Sequence, residues 1–440
     1  METIIGTKKN ILVLGAGYGG LRVAMRLEEQ LRSMPDYHIT LIDQNQHHQL
    51  ITQLHEVAGG RTPAETIALP LERVLGLRRI DFHQARVTRL DIGARRLSTD
   101  HAELSYDYLV IALGSETNFY GIPGMQEHAF TLKSLRDACL IQGHLHEMLS
   151  AAAGMTAYSD ERREALAFVV GGGGFTGVEL AAELAETVRD IAPRYGISPE
   201  EPRVAIVEAG KTLLPGLDQR LVEKATKILE EQGIDIVTGI PAKAADARGM
   251  LLASGKRIDT RTIIWTGGVR APELLERWGL PTGIAGRVKV NEFLQVEGHQ
   301  NIYAVGDSAL VMDPTTSRPA APSAQLAVAE AEAAASNISA EISGDKIESY
   351  VPHMTGEAVS LGPDNGVAWV GPVRMSGRPA QWLKALIANR YLWQTGGLEL
   401  VRSYSGIGKG TLGRDFPECL VELRQEEVPT EESQAQRRAA

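Results

Sequence analysis

Two glycine-rich turns, separated by more than a third of the chain, limit what this sequence can fold into. The first follows Ile11-Leu12-Val13-Leu14 and reads Gly15-Ala16-Gly17-Tyr18-Gly19-Gly20. The second follows Phe168-Val169-Val170-Gly171 and reads Gly172-Gly173-Gly174-Phe175-Thr176-Gly177. Each comes after a short apolar run and opens a helical pattern. In such a turn the first glycine (Gly15, Gly172) permits the tight bend. The second (Gly17, Gly174) lets a pyrophosphate approach the backbone, and the third (Gly20, Gly177) packs helix on strand. The phosphates then rest on free N–H groups at the helix's positive end. One turn predicts one dinucleotide. Two predict a chain that brings two dinucleotides together, which is a redox arrangement.

Glycine makes up 45 of the 440 residues, so three fixed glycines match by chance at about 0.001 per position and context has to decide. A third match, Gly408-Lys409-Gly410-Thr411-Leu412-Gly413, is followed by Arg414-Asp415-Phe416-Pro417. That proline would interrupt a helix's first turns, so the third copy reads as a chance match in a loop. The other two have a strand before and a helix after. Each is also followed by a second strand ending in an acid: His38 to Ile42 stops at Asp43, and Arg203 to Val207 stops at Glu208. A carboxylate there accepts bonds from a ribose diol. Glu208 would repel a 2′-phosphate, which predicts NADH over NADPH, a preference tempered by nearby Lys211.

Three further runs complete the pattern. Tyr108 to Leu113 stops at Gly114, Thr262 to Trp265 stops at Thr266-Gly267-Gly268, and Asn301 to Val305 ends at Gly306-Asp307. A β-α-β-strand order met twice predicts an α/β fold with two Rossmann-like, doubly wound, three-layer domains, the second inserted in the first. The expected boundaries are 1–125 and 286–345 for the first domain and 126–285 for the inserted one. A smaller C-terminal α+β region, 346–440, ends in an acidic tail. Helix is expected through 127–165, and from about Ser323 to Ser343 after a loop holding Pro314, Pro319 and Pro322.

A net charge of −10 argues against nucleic acid, whose backbone needs a Lys/Arg-rich surface. The short polar N-terminus lacks the apolar stretch and cleavage site of a signal peptide. No apolar run approaches the roughly 20 residues needed to span a bilayer. Cys139 and Cys419 are too few for a disulfide framework or a zinc site, and a reducing cytoplasm is the expected compartment. The eleven histidines show no ligand-like spacing, so no metal is expected. His353 falls near a plausible acceptor pocket, with a surface role equally open.

With both fingerprints and the strands ending at Gly114 and Gly306-Asp307 in place, the chain resembles the two-dinucleotide flavoprotein reductases. Within them it is most similar to the type II NADH dehydrogenases, single-subunit NADH:quinone oxidoreductases, over about residues 10–375. The resemblance implies non-covalent FAD held by Gly15, Gly17, Gly20, Asp43, Gly114, Gly306, Asp307, Ala324 and Gln325. It implies NADH held by Gly172, Gly174, Gly177, Glu179, Glu208, Gly267 and Gly268. The segment Gly174 to Leu180 resembles the family segment whose Glu sits near nicotinamide and flavin, which makes Glu179 a candidate catalytic residue. A first-turn acid complementing the helix dipole is the bland reading of Glu179. Ala324-Gln325 resembles the family's pair beside flavin and quinone, which makes Gln325 the second candidate. That helix N-terminus would also stabilise negative charge on a reduced ring.

There are departures. Where the family often has a second Gln, this chain has Ala329 and then Glu330; where it commonly shows Tyr-His and a Pro, this chain has His47-His48 and Thr52. Related disulfide reductases and NADH peroxidases use cysteine soon after the first βαβ unit, and 44–75 contains none. Neither cysteine matches the placement in sulfide:quinone reductases.

The family sits on the membrane surface through C-terminal amphipathic helices. The candidate here is Gln381 to Trp393, near 379–394, with Trp382, Leu383, Leu386, Ile387 and Tyr391 on one side. Five side chains at about 1 kcal/mol each give ~5 kcal/mol, close to one acyl chain and marginal for anchoring. A homodimer, also expected, would double it, giving weak peripheral contact at the inner face of the cell membrane. A helix docked on its own domain or on a partner subunit explains the same pattern. A soluble reductase of a protein or small-molecule acceptor, or a low-turnover FAD/NAD(H)-binding module, is the alternative to quinone reduction. An apolar slot beside Ala324-Gln325 favours quinone, and an open charged face favours a protein.

Overall fold

The computed structural model describes residues 9–404. Residues 1–8, the third glycine pattern at 408–413, Cys419 and the acidic tail lie outside those residues.

Two five-stranded parallel sheets carry the architecture. In the first the spatial order is Ile302–Ala304, Tyr108–Ile111, Lys9–Leu14, Tyr37–Asp43, Ile80–Gln84. In the second it is Ala129–Thr131, Thr262–Trp265, Ala167–Gly171, Arg203–Glu208, Ile234–Thr238. The strand that feeds each glycine turn is therefore central, flanked by the strand that ends in the acid. Ile11 to Leu14 and Phe168 to Val170 are at most 2% exposed, as expected where helices cover a parallel sheet on both faces. Every strand of the second sheet falls between Ala129 and Trp265, whereas the first draws on 9–111 and 302–304.

The strand Ala129–Thr131 falls where helix was expected. Three residues carry no periodicity of their own, and pairing with Thr262–Trp265 fixes them as a strand. Helix follows at Leu135–Ala153, where the Ser134 hydroxyl accepts the Asp137 N–H at 3.1 Å and Asp137 accepts the Ser134 N–H at 3.0 Å.

The helix Tyr18–Gln30 packs closely on the helix Ala324–Ser343 because small residues meet at the crossing. A Cβ on Gly19 would lie 3.5 Å from the Ala327 carbonyl oxygen, and Ala331, Ala334 and Ala335 are fully buried. This contact brings the start of the alanine-rich helix beside the first glycine turn. Beyond it, an antiparallel sheet of Gly356–Ser360, Gly366–Val370 and Val373–Ser376 leads into the helix Arg378–Tyr404. That helix is longer than expected and breaks at Gly396-Gly397, where Gly397 has a φ of +65°. Among the described residues, no helix is long and apolar enough to cross a membrane.

Candidate functional site

The two glycine turns are built alike. Gly15 and Gly172 have φ of +94° and +114°, left-handed values that favour glycine. A Cβ on Gly20 would strike the Gly15 carbonyl oxygen, and one on Gly177 would strike that of Gly172. Packing within the protein thus fixes the third glycine. Gly17 and Gly174 differ: their φ values are an ordinary −72° and −73°, and a Cβ on either meets nothing within 4 Å. They leave the space over the helix N-terminus clear, as a pyrophosphate requires. Both helices lack a side-chain N-cap and carry no acid in the first turn, so their orphan N–H groups and positive dipole end remain for an anion. The residues fit a dinucleotide at each turn.

The acids at the strand tips steady those turns. Asp43 Oδ2 accepts the Ala16 N–H at 2.7 Å, and Glu208 Oε2 accepts the Gly173 N–H at 2.6 Å. Each carboxylate keeps lone pairs for a ribose diol. Burial pushes the Asp43 carboxyl above its ordinary range, against hydrogen bonds from Ala16 and Asn45 that pull it down.

The Gly306-Asp307 turn is held by residues that the sequence did not single out for it. Asp307 Oδ2 accepts the Ser115 hydroxyl at 2.6 Å, and the Lys133 ammonium donates to that hydroxyl oxygen at 2.8 Å. The Ser308 hydroxyl donates to the Gly114 carbonyl oxygen at 3.0 Å. Gly306 N–H donates to Glu330 Oε2 at 2.6 Å. Glu330, one of the departures from the family pattern, is therefore a buried brace under this turn.

Glu330 is 2% exposed, and burial pushes its carboxyl up to about 8, with the Gly306 N–H and Arg287 opposing. The folded chain then holds a proton that the unfolded chain releases from its ordinary value near 4.5. That contribution to stability is fully present below about pH 4.5 and is lost as pH rises through about 8. In Glu330→Gln, whose amide oxygen still accepts from Gly306, the melting temperature should fall less between about pH 5 and 9 than in the parent. The difference at the alkaline end corresponds to on the order of 3 kcal/mol. Equal slopes in the two proteins would refute this account of Glu330.

A cleft of about 90 Å³ lies at the junction of the two sheets, lined by Ile51, Leu54, Lys133, Thr176, Trp265 and Gly268 among others. The Trp265 indole N–H donates to the Asn118 carbonyl oxygen at 2.8 Å, and the Thr266 hydroxyl donates to that of Gly171 at 3.1 Å. A Cβ on Gly267 would run into the Trp265 ring, and one on Gly268 into the Tyr120 ring. Packing within the protein therefore favours glycine at both positions of this turn.

Glu179 stands one helical turn beyond Thr176. Its helix begins at Phe175, so Glu179 is outside the first turn and the dipole reading falls. The carboxylate accepts the Ser360 N–H at 2.9 Å and pairs with the Lys384 ammonium of the C-terminal helix. His55 Nδ1 lies 3.6 Å from its other oxygen. Glu179 is 8% exposed, and burial pushes its carboxyl up against the pull of Lys384. Burial, reinforced by Lys384 and Arg61, holds His55 well below the ordinary imidazole range.

The C-terminal helix also reaches the first glycine turn. Tyr391, expected on the open stripe, is turned inward: its ring centroid is 4.5 Å from that of Tyr18, and its hydroxyl is 2.9 Å from His48 Nε2. His48 Nδ1 lies 2.8 Å from the Ala16 carbonyl oxygen. A carbonyl only accepts, so Nδ1 carries the proton and Nε2 accepts from Tyr391. Burial lowers His48 to about 4, which keeps the ring neutral. Leu383 is half-buried as well. The stripe left open is Trp382, Leu386, Ile387 and Trp393, at 77%, 64%, 47% and 58% exposure.

At the start of the alanine-rich helix, Ala324 follows Ser323, whose hydroxyl caps the Leu326 N–H at 3.2 Å. The Gln325 amide bonds the strand edge opposite, accepting the Thr355 hydroxyl at 2.5 Å and donating to the Gly356 carbonyl oxygen at 3.0 Å. His353 is exposed. Sequence reasoning missed His55 and Lys384. The one signal for Lys384 was a charge amid the apolar run Leu383-Ala385-Leu386.

Known proteins share this construction. Residues 9–331 match the family model described as pyridine nucleotide-disulphide oxidoreductase. The chain is 32% identical over 396 residues to the type II NADH:quinone oxidoreductase of Staphylococcus epidermidis, covering 89% of this chain and 97% of that one. It is 31% identical, with the same coverage, to the protein of that name from Staphylococcus aureus. Two solved structures share the fold. The structure of NDH2 from Plasmodium falciparum in complex with NADH is 20% identical with a TM-score of 0.82, covering 93% of this chain and 99% of that one. The sulfide:quinone oxidoreductase of Aquifex aeolicus is 22% identical with a TM-score of 0.71, covering 96% of each. The chain belongs to the pyridine nucleotide-disulphide oxidoreductase family and, within it, to the type II NADH:quinone oxidoreductases.

Proposed function

We propose that the chain oxidises NADH and reduces a quinone, with non-covalent FAD as the relay between them. The observation that carries this reading is the pair of dinucleotide cradles of like construction, with a cleft at their junction. FAD belongs at the turn of Gly15, Gly17 and Gly20, with Asp43, Gly114, Gly306, Asp307, Ala324 and Gln325. NADH belongs at the turn of Gly172, Gly174 and Gly177, with Glu208, Gly267 and Gly268. Bound FAD supplies the chemistry, taking a hydride from NADH and giving two electrons to the quinone. The protein supplies position and protons. Glu179, paired with Lys384, is the ionisable group behind the cleft, and Gln325 fixes the edge of the alanine-rich helix. On this reading residues 1–125 and 286–345 form the FAD domain, 126–285 the NADH domain and 346–440 the interface region.

The open stripe of Trp382, Leu386, Ile387 and Trp393 supports peripheral contact with the inner face of the cell membrane. A homodimer presenting two such helices would strengthen that contact. The purified protein should sediment weakly and reversibly with liposomes, and the double change Trp382→Ser, Leu386→Ser should cut the bound fraction about tenfold, the loss of ~1.4 kcal/mol. A wild-type protein that never sediments with vesicles would sink the membrane reading. Catalysis itself is tested by NADH oxidation with a short-chain quinone against oxygen alone. A several-fold stimulation is expected, and no stimulation overturns the choice of quinone.

A further inference from the structure

We propose that His55 and Glu56 form a proton feed that carries one proton per turnover from solvent to the Glu179–Lys384 pair. The inference rests on the quinone-reducing reading above. A quinone becomes a quinol by taking two electrons and two protons, while NADH gives two electrons and one proton. The balance, NADH + H⁺ + quinone → NAD⁺ + quinol, leaves one proton to be drawn from water in every cycle. Glu179 is too deeply set to collect it alone: its side chain is 10% exposed, and its oxygens already face Lys384, the Ser360 N–H and His55.

The short helix Leu54–Ala58 bridges that gap. Leu54 lines the cleft, and the next two residues point a line of exchangeable groups outward. His55 is 3% exposed, with Nδ1 3.6 Å from Glu179 Oε2 and Nε2 3.9 Å from Glu56 Oε1. Lys384 Nζ lies 3.4 Å from the same Nε2. Glu56 is the outer station. Its side chain is 18% exposed, its Oε2 accepts the Thr62 hydroxyl at 2.7 Å, and the Arg61 guanidinium lies 3.3 Å from Oε1. Arg61 is itself anchored to buried Glu183 at 2.8 Å, which keeps the cation beside Glu56. The groups facing His55 are therefore Glu179, Lys384, Glu56 and Arg61.

Imidazole suits this position because one nitrogen takes a proton as the other releases one. Glu56 gives its proton to Nε2, His55 gives the Nδ1 proton to Glu179, and Glu56 recharges from water. A half-turn of the imidazole then exchanges its two nitrogens and restores the first tautomer before the next cycle. Gaps of 3.6 and 3.9 Å exceed a hydrogen bond, and catalytic contacts of this kind tighten when substrate binds. His55 and Glu56 are positioning residues, since neither touches the reacting atoms.

The test compares quinone with ferricyanide as the acceptor in the FAD-loaded full-length protein. Ferricyanide takes electrons and no proton. In His55→Gln the ratio of quinone turnover to ferricyanide turnover should fall by about tenfold or more, with KM for NADH within about twofold of the parent. Glu56→Gln, whose amide oxygen can still accept the Thr62 hydroxyl, should lower the same ratio several-fold and raise the solvent isotope effect on quinone reduction. The relay is overturned if both variants keep the parental ratio and isotope effect. A parent protein reduced by NADH but giving no quinone-dependent rate overturns the quinone reading itself, and the relay with it.

Discussion

Gly174→Val should keep its yellow FAD and its melting temperature and lose NADH oxidation. The position has an ordinary φ of −73°, and a Cβ there meets no protein atom within 4 Å, so a side chain can start there without backbone strain or a clash at Cβ. What it fills is the clear space over the helix N-terminus where a pyrophosphate rests. We expect KM for NADH to rise at least about 100-fold, the equivalent of ~2.8 kcal/mol of lost binding. Gly177→Ala is the contrast. Its Cβ would strike the Gly172 carbonyl oxygen, so that variant should lose stability before it loses anything specific. Steady-state kinetics and melting curves on both variants separate a ligand cradle from a tight turn. A Gly174→Val protein with parental KM for NADH would remove the second turn from the reaction.

Glu179→Gln carries the second large effect. It leaves the Lys384 ammonium, 17% exposed, with its main counter-charge gone. An uncompensated charge at such a site costs on the order of 2–3 kcal/mol, less than a fully buried one because water still reaches it. Quinone turnover should fall about 10- to 100-fold, the size expected for loss of a positioned acid–base group. Lys384→Met should hurt in turn by stranding the carboxylate. The double variant should then be more stable than the sum of the two predicts, by about 1 kcal/mol or more in a double-mutant cycle. Additive losses would mean that the pair does not hold the C-terminal helix to the helix Phe175–Ile191.

The glycine turns were legible because their mechanics are local. Gly15, Gly20, Gly172 and Gly177 are dictated by contacts within a few residues or with the adjoining strand, and Asp43 and Glu208 follow from the strand each ends. The helix Ala324–Ser343 announced itself by composition and its preceding prolines. What stayed hidden depends on distant segments meeting. Lys384 finds Glu179 across 205 residues, and Glu330 braces a turn 24 residues away on another element. His55 carries no spacing signal at all. The amphipathic stripe misled at Tyr391, because an aromatic that seals a domain contact looks in sequence like one that faces lipid. Its ring contact with Tyr18 and its bond to His48 distinguish the two.

The most direct measurement is anaerobic stopped-flow on the FAD-loaded protein, mixed first with NADH and then with a short-chain quinone. The account predicts that one equivalent of NADH bleaches the flavin and that one equivalent of quinone restores its colour, both within a turnover time. A flavin that NADH does not bleach, or that ferricyanide reoxidises while quinone does not, would contradict it.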